Sequence, residues 1–269
     1  MTFLNLSDVI LNNDIMKAFK YILILAVISL VFACSKDDDN NDQQELEQFT
    51  SNICPDISGP KAIYWDSAHG LATPLAQIPT IANPGLQFVH PQYPALGFTM
   101  PQGYEAVQIT DQQTGAIGVD VARIDGKATW RYIPSLSFPG TVSISGIIDF
   151  EITRIKSLQN FTAQGQIICG EDFISNEFGF ETSSISRLIE FGDFTAVVII
   201  QTHFMSGLNS TFVSVSSASG LTSQFDNLVM ETFLPIHWQL MVISDDVRDS
   251  DLDGTPDNQD AAPFNSNIQ

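Results

Sequence analysis

The stretch Tyr104–Ile133, YEAVQITDQQTGAIGVDVARIDGKATWRYI, holds three alternating apolar runs: Tyr104–Thr110, Ile117–Ile124 and Lys127–Ile133. The first two are separated by Asp111–Gly115 and the last two by the pair Asp125-Gly126. An Asp-Gly pair between alternating runs is a strong hairpin signal, because glycine and aspartate tolerate the backbone that a tight turn requires. The stretch therefore predicts consecutive antiparallel strands.

Further along the chain, Thr141–Ile155 and Phe161–Cys169 read as a second strand pair, and Arg187–Phe204 as a long strand broken or bulged at Gly192-Asp193. Thr211–Ser217, Phe225–Phe233 and Ile236–Ile243 complete the body. No amphipathic helix longer than two turns is evident from the pattern. Toward the N-terminus, Ile53–Gly103 carries Pro55, Pro60, Pro74, Pro79, Pro84, Pro91, Pro94 and Pro101, which exclude long helices and central strands and leave short strands at Lys61–Asp66 and Leu86–Val89. The expectation is an all-β domain over residues 53–244, an antiparallel β-sandwich or jelly roll, with a closed barrel as the competing architecture. The 19 phenylalanines would supply much of the filling between sheets.

Charge is concentrated at the two ends of this body. The formal net charge is −20, with six acids and one base in Lys36–Glu47 and seven acids and one base in Asp245–Asp260. Such a surface repels phosphate backbones, so nucleic acid is not an expected partner. Residues 34–52 are poor in apolar side chains and read as a disordered acidic tether.

Ahead of the tether, Lys17 and Lys20 precede the apolar run Tyr21–Ala33, which ends at Cys34. A short basic region, an apolar core and a small residue before a break are the parts of a secretory signal, and the run is short for a bilayer crossing. Residues 1–33 are thus read as an N-terminal extension and signal peptide, with Met16 as the start of the signal proper. Val31-Phe32-Ala33-Cys34 resembles the lipobox of bacterial lipoproteins, and Ser35–Asp39 resembles the acidic export signal of Bacteroidota surface lipoproteins. The resemblance implies lipid on Cys34 and anchoring in the outer membrane, facing the exterior. Phe32 departs from the small residue usual in that box. With Cys34 lipidated, Cys54 and Cys169 form an even pair that can bridge in an oxidising compartment, or stay as two buried thiols.

The most specific chemical motif is Asp249-Ser250-Asp251-Leu252-Asp253-Gly254-Thr255-Pro256-Asp257-Asn258-Gln259-Asp260, within the tail 245–269. Its spacing suits a twelve-residue calcium loop: Asp249, Asp251, Asp253, Asp257 and Asp260 offer carboxylates, Thr255 its carbonyl, and Gly254 the sharp turn. With Pro263 following, the segment resembles a thrombospondin type 3 repeat, which implies a structural Ca2+ ion. Aspartate at the last position is shorter than the glutamate of an EF-hand and weakens closure.

No motif names a reaction. Asp149 with Glu151, or Glu171 with Asp172, are carboxylate pairs that a glycosidase could use. His69, His90, His203 and His237 lack metal spacing, although His203 and His237 fall in predicted strands. Trp130 and Tyr132 alternate on one predicted strand and would share a face able to stack on a sugar; buried aromatics are the commoner outcome. Leu221–Met230, around Phe225-Asp226-Asn227-Leu228, resembles the last strand of jelly-roll carbohydrate-binding modules, and Asp66-Ser67-Ala68 resembles a Bacteroidota O-glycosylation acceptor. The functional expectation is a non-catalytic surface lipoprotein that binds a glycan or a protein in adhesion. The alternatives are an enzyme acting on surface polysaccharide and a structural subunit of an envelope complex.

Overall fold

The structure, a computed structural model, describes residues 45–75, 79–177 and 180–241. Cys34 and the calcium loop lie outside the described residues. The main sheet is open and seven-stranded, with every neighbouring pair antiparallel, in the order β3 (Tyr104–Asp111), β4 (Ala116–Arg123), β5 (Ala128–Pro139), β9 (Ser210–Leu221), β8 (Phe194–Met205), β7 (Phe180–Phe191) and β6 (Gln166–Glu177). A separate hairpin pairs β1 (Pro84–His90) with β2 (Tyr93–Pro101).

Helices cover both faces of the main sheet, so the domain is mixed α/β and neither a sandwich nor a jelly roll. Helix α1 (Pro60–Ala68), α3 (Phe225–Leu228), a π-helical turn (Val229–Phe233) and α4 (Leu234–Met241) share one core with β1–β2 and one face of the sheet. Helix α2 (Ile144–Leu158) packs on the other face, against β7 and β8.

Four segments expected as strands are helical: Lys61–Asp66, Thr141–Ile155, Phe225–Phe233 and the described part of Ile236–Ile243. In α2, Ile144, Ile148, Ile152 and Ile155 recur at three- and four-residue steps, and Ser143 caps the first turn by accepting from the Gly146 N–H at 3.3 Å. The β-branched content of this segment hides that period. Phe225, Leu228, Val229, Phe233, Ile236 and Leu240 are buried at similar steps, so Phe225–Leu228 is not the last strand of a carbohydrate-binding module. Pro60, which argues against a helix interior, instead starts α1, where its missing N–H costs nothing.

Buried polar contacts fix the segment before α1. Asp66 is fully buried: Oδ1 accepts from the Ser51 hydroxyl at 2.5 Å, and Oδ2 from the Asn52 backbone and side-chain amides, each at 2.8 Å. Ser51 Oγ in turn accepts from the Ile53 and Cys54 N–H groups at 3.1 and 3.0 Å. This chain of contacts sets Cys54 beside β6, where it forms a disulfide with Cys169 across 115 residues. The same contacts commit Asp66 to the interior, away from any role in an exposed acceptor motif.

Reduction should add two protons to the intact mass. It should also lower unfolding free energy by up to about 4–5 kcal/mol, the loop-entropy value for a loop of this order, read as a lower urea midpoint. An unchanged midpoint would show that the bridge adds no stability.

Candidate functional site

The pairing register draws one row of side chains across the sheet. Val107 lies opposite Asp120, Asp120 opposite Arg131, Arg131 opposite Ser217, and Ser217 opposite Val198. Directly opposed residues share a face, so the row lies on the α2 side with Val198 of that core. Glu151 of α2 reaches this row. Its Oε2 accepts from Arg131 Nη1 and Arg154 Nε, both at 2.9 Å; its Oε1 accepts from Arg154 Nη2 at 2.7 Å and Ser217 Oγ at 2.6 Å. Asp120 completes the cluster 3.2 Å from Arg131 Nε and 3.7 Å from Arg154 Nη1.

The electrostatics follow from this geometry. Burial pushes the Glu151 carboxyl up, but the hydrogen bonds and charge of Arg154, with Ser217 and Arg131, outweigh it and hold the group below the usual carboxylate range. For Asp120, burial comes first and Glu151 adds like-charge repulsion. Together they exceed the pull of Arg131 and Arg154 and raise its carboxyl. Glu151 is therefore a fixed anion with its oxygens committed, a structural clamp between helix and sheet and a poor general acid.

Beyond the clamp, a corner of the sheet stays open. Phe150, Arg154 and Leu158 succeed one another at four-residue steps, so they share one flank of α2, and the contact of Arg154 with Asp120 turns that flank toward β4. Phe150 is 70% and Leu158 50% exposed, and across the corner Val107 is 65% and Ile124 72% exposed. Gln159, at the end of α2, donates from Nε2 to the Gly126 carbonyl at 2.9 Å and closes that side. The result is a shelf with an apolar rim around a charge cluster that neutralises itself.

Other sequence candidates are placed as follows. Trp130 is 1% exposed, edge-on to Phe98 at 5.7 Å, and Tyr132 is half-buried at 6.0 Å from Trp130. Trp130 therefore offers no open face to a sugar. Asp149 is exposed while Glu151 is buried; helical geometry points them apart, unlike the shared strand face expected. Glu171 and Asp172 are consecutive on β6, on opposite faces, and Asp172 pairs with Arg187 at 2.5 Å. His203 Nδ1 lies 2.9 Å from Thr182 Oγ1, whereas His237 belongs to α4, where burial lowers its pKa to about 4. Among the described residues no group of three or more His, Cys, Asp and Glu side chains could hold a metal.

Sequence reasoning did not pair His69 with Ser186. His69 Nδ1–H donates to the Trp65 carbonyl at 2.6 Å, leaving Nε2 to accept from the Ser186 hydroxyl at 2.7 Å. Ser186 is buried and also within reach of the Glu171 carbonyl at 3.2 Å, so this pair fastens α1 to β7 and exposes no nucleophile.

Glu151→Gln should cost about 3–5 kcal/mol by leaving two arginines short of countercharge, measured by denaturant unfolding. The sign of the pH effect follows from its depressed pKa. The Glu151 contribution is complete above the unfolded value of about 4.3 and is lost as pH falls through the folded value. The variant should therefore lose stability less steeply than the parent on acidification, and parallel curves would assign the acid loss to other groups.

No protein-family model matches this chain, and no curated protein does. Among solved structures, it is similar to cyanobacterial PsbP from Synechocystis, at 13% identity and a TM-score of 0.33, over 58% of this chain and 92% of that one. It is also similar to LpqN of Mycobacterium tuberculosis, involved in cell envelope biogenesis, at 14% identity and 0.25, covering 56% and 83%. A third is the Saccharomyces cerevisiae Ran-binding protein Mog1p, at 14% and 0.27, covering 59% and 90%. Likenesses this low assign neither a family nor an activity.

Proposed function

We propose that this chain is a non-catalytic recognition domain that docks a partner protein on the shelf between α2 and the β3–β4 corner. The observation that carries the reading is the rim of four exposed large apolar side chains, Val107, Ile124, Phe150 and Leu158, beside a charge cluster in which both Glu151 oxygens are committed to Arg131, Arg154 and Ser217. Large apolar side chains exposed together suit a protein interface. A glycan site is less well supported, because Trp130 is interior and Tyr132 only half accessible. The lipobox-like residues ending at Cys34 support lipid anchoring in the outer membrane, and Asp249, Asp251, Asp253, Thr255, Asp257 and Asp260 support a Ca2+-ordered tail.

A photo-crosslinking residue at position 150 or 107 of the full chain in intact cells should give the same discrete adduct. Position 149, on the other side of α2, should give none. Equal labelling from position 149, or no adduct from 150 and 107, would remove the shelf as a docking site. For the tail, calcium titration should show a site of about 0.1–1 mM affinity that disappears on deleting residues 245–269. Identical heats with and without them would remove the ion.

A further inference from the structure

The open sheet ends on β6, which pairs only with β7 among the described residues. A bulge lies between Ile167 and Cys169, and residues 170–176 beyond it pair regularly with β7. In that stretch Gly170, Glu171, Asp172, Phe173, Ile174 and Asn176 are exposed. Proteins protect an edge with proline, charged side chains (lysine above all), a bulge or a covering element, because its free N–H and C=O groups template further pairing. Residues 170–176 have no proline and no lysine; their charges are Glu171 and Asp172, the latter paired with Arg187, and they carry two large apolar side chains, Phe173 and Ile174.

We infer that β6 pairs antiparallel with β6 of a second copy of this chain, across a twofold axis through Phe173, to make one continuous sheet. Directly opposed residues must share a face, so a twofold axis normal to the sheet has to pass through a residue rather than between two. Axes at Gly170, Ser175 and Asn176 also avoid opposed like charges but leave much of the regular stretch 170–176 unpaired with itself, so the choice lies among its central residues. An axis at Glu171 or at Asp172 sets an acid against itself, and an axis at Ile174 sets Glu171 opposite Glu177. An axis at Phe173 sets Phe173 against Phe173, Asp172 opposite Ile174 and Glu171 opposite Ser175, with no like charges opposed. Each Asp172 already holds Arg187 of its own β7, which screens the two aspartates that flank the axis. This self-complementary register, in a chain whose acidity disfavours arbitrary self-contact, is what points to a second copy as the occupant. The paired stretch is short, so the dimer belongs to the small interface class, below roughly 1,200 Å2 in total, and should depend on concentration.

Cysteine crosslinking of the full chain in cell envelopes tests this, with the unsubstituted chain as baseline. Phe173→Cys should give a disulfide dimer under mild oxidation, because the residue faces itself at a Cβ separation of about 4.5–5.5 Å. Glu171→Cys should give several-fold less, its two copies being about 13 Å apart along the strands. Co-expressed Glu171→Cys and Ser175→Cys chains should crosslink to each other, which keeps the test independent of the Phe173 variant. Equal yields from Phe173→Cys and Glu171→Cys, absence of both dimers, or a crosslink to a protein of different mass would each overturn the pairing. Because the shelf lies on the opposite side of α2 from this edge in strand order, failure here leaves the docking reading intact.

Discussion

Strand β8 buries six consecutive residues, Thr195 to Ile200, and successive side chains of a strand point to opposite faces. Both faces of the sheet at its centre must therefore be covered by apolar matter. A single sheet cannot do this for itself, and α2 on one side with α1, β1–β2 and the C-terminal helices on the other is the solution this chain adopts. The neighbouring strand β9 follows the same logic with smaller residues: Ala218 faces one core, Val213 and Val215 the other, and Ser217 and Ser219 bring hydroxyls into the interior.

Those hydroxyls make the α2 layer polar at one line. Arg131 and Ser217, opposed across β5 and β9, would be poorly solvated under a helix with an all-apolar face. Glu151 answers both, and Arg154, three residues along the same helix, answers Glu151. An ion cluster of this kind adds little net stability over well-packed apolar residues, but it fails sharply when one member is lost. Its use here is positional: hydrogen bonds with direction fix where α2 stops across the sheet, whereas apolar packing alone tolerates sliding. The edge of α2 so fixed is what leaves Val107 and Ile124 uncovered.

Much of this was written in the sequence in forms of unequal clarity. The turn around Asp125-Gly126, closed by the Gly126 N–H donating to the Arg123 carbonyl at 2.7 Å, joins β4 to β5 in a register that places Asp120 opposite Arg131, so half of the charge cluster was signalled by the Asp-Gly pair. The other half needed α2, and α2 was hidden because isoleucine and threonine at helical spacing also suit a strand. The run Ala196-Val197-Val198-Ile199-Ile200 was the clearest sign against a sandwich, since a strand open to water on one face alternates and this one does not. Trp130 and Tyr132 do share a face, as alternation requires, yet that face turns inward because α1 and β2 pack over it; only long-range packing decides which face is wet.

An open sheet has two edges, and this chain treats them differently. The β1–β2 hairpin folds against β3, where His90 Nε2–H donates to the Ile109 carbonyl at 3.2 Å while its Nδ1 accepts from the Gln92 N–H at 3.2 Å. Both ring nitrogens are thus used, and they tie the hairpin to that edge. At β6 the comparable restraint among the described residues is the Cys54–Cys169 bridge, which ties the strand near its bulge and leaves residues 170–176 beyond it without a described covering element. A covalent tie at one end with a free, regular strand at the other keeps β6 ordered while keeping its outer hydrogen-bonding groups available. That combination is unfavourable for an isolated monomer and favourable for a sheet that is meant to continue.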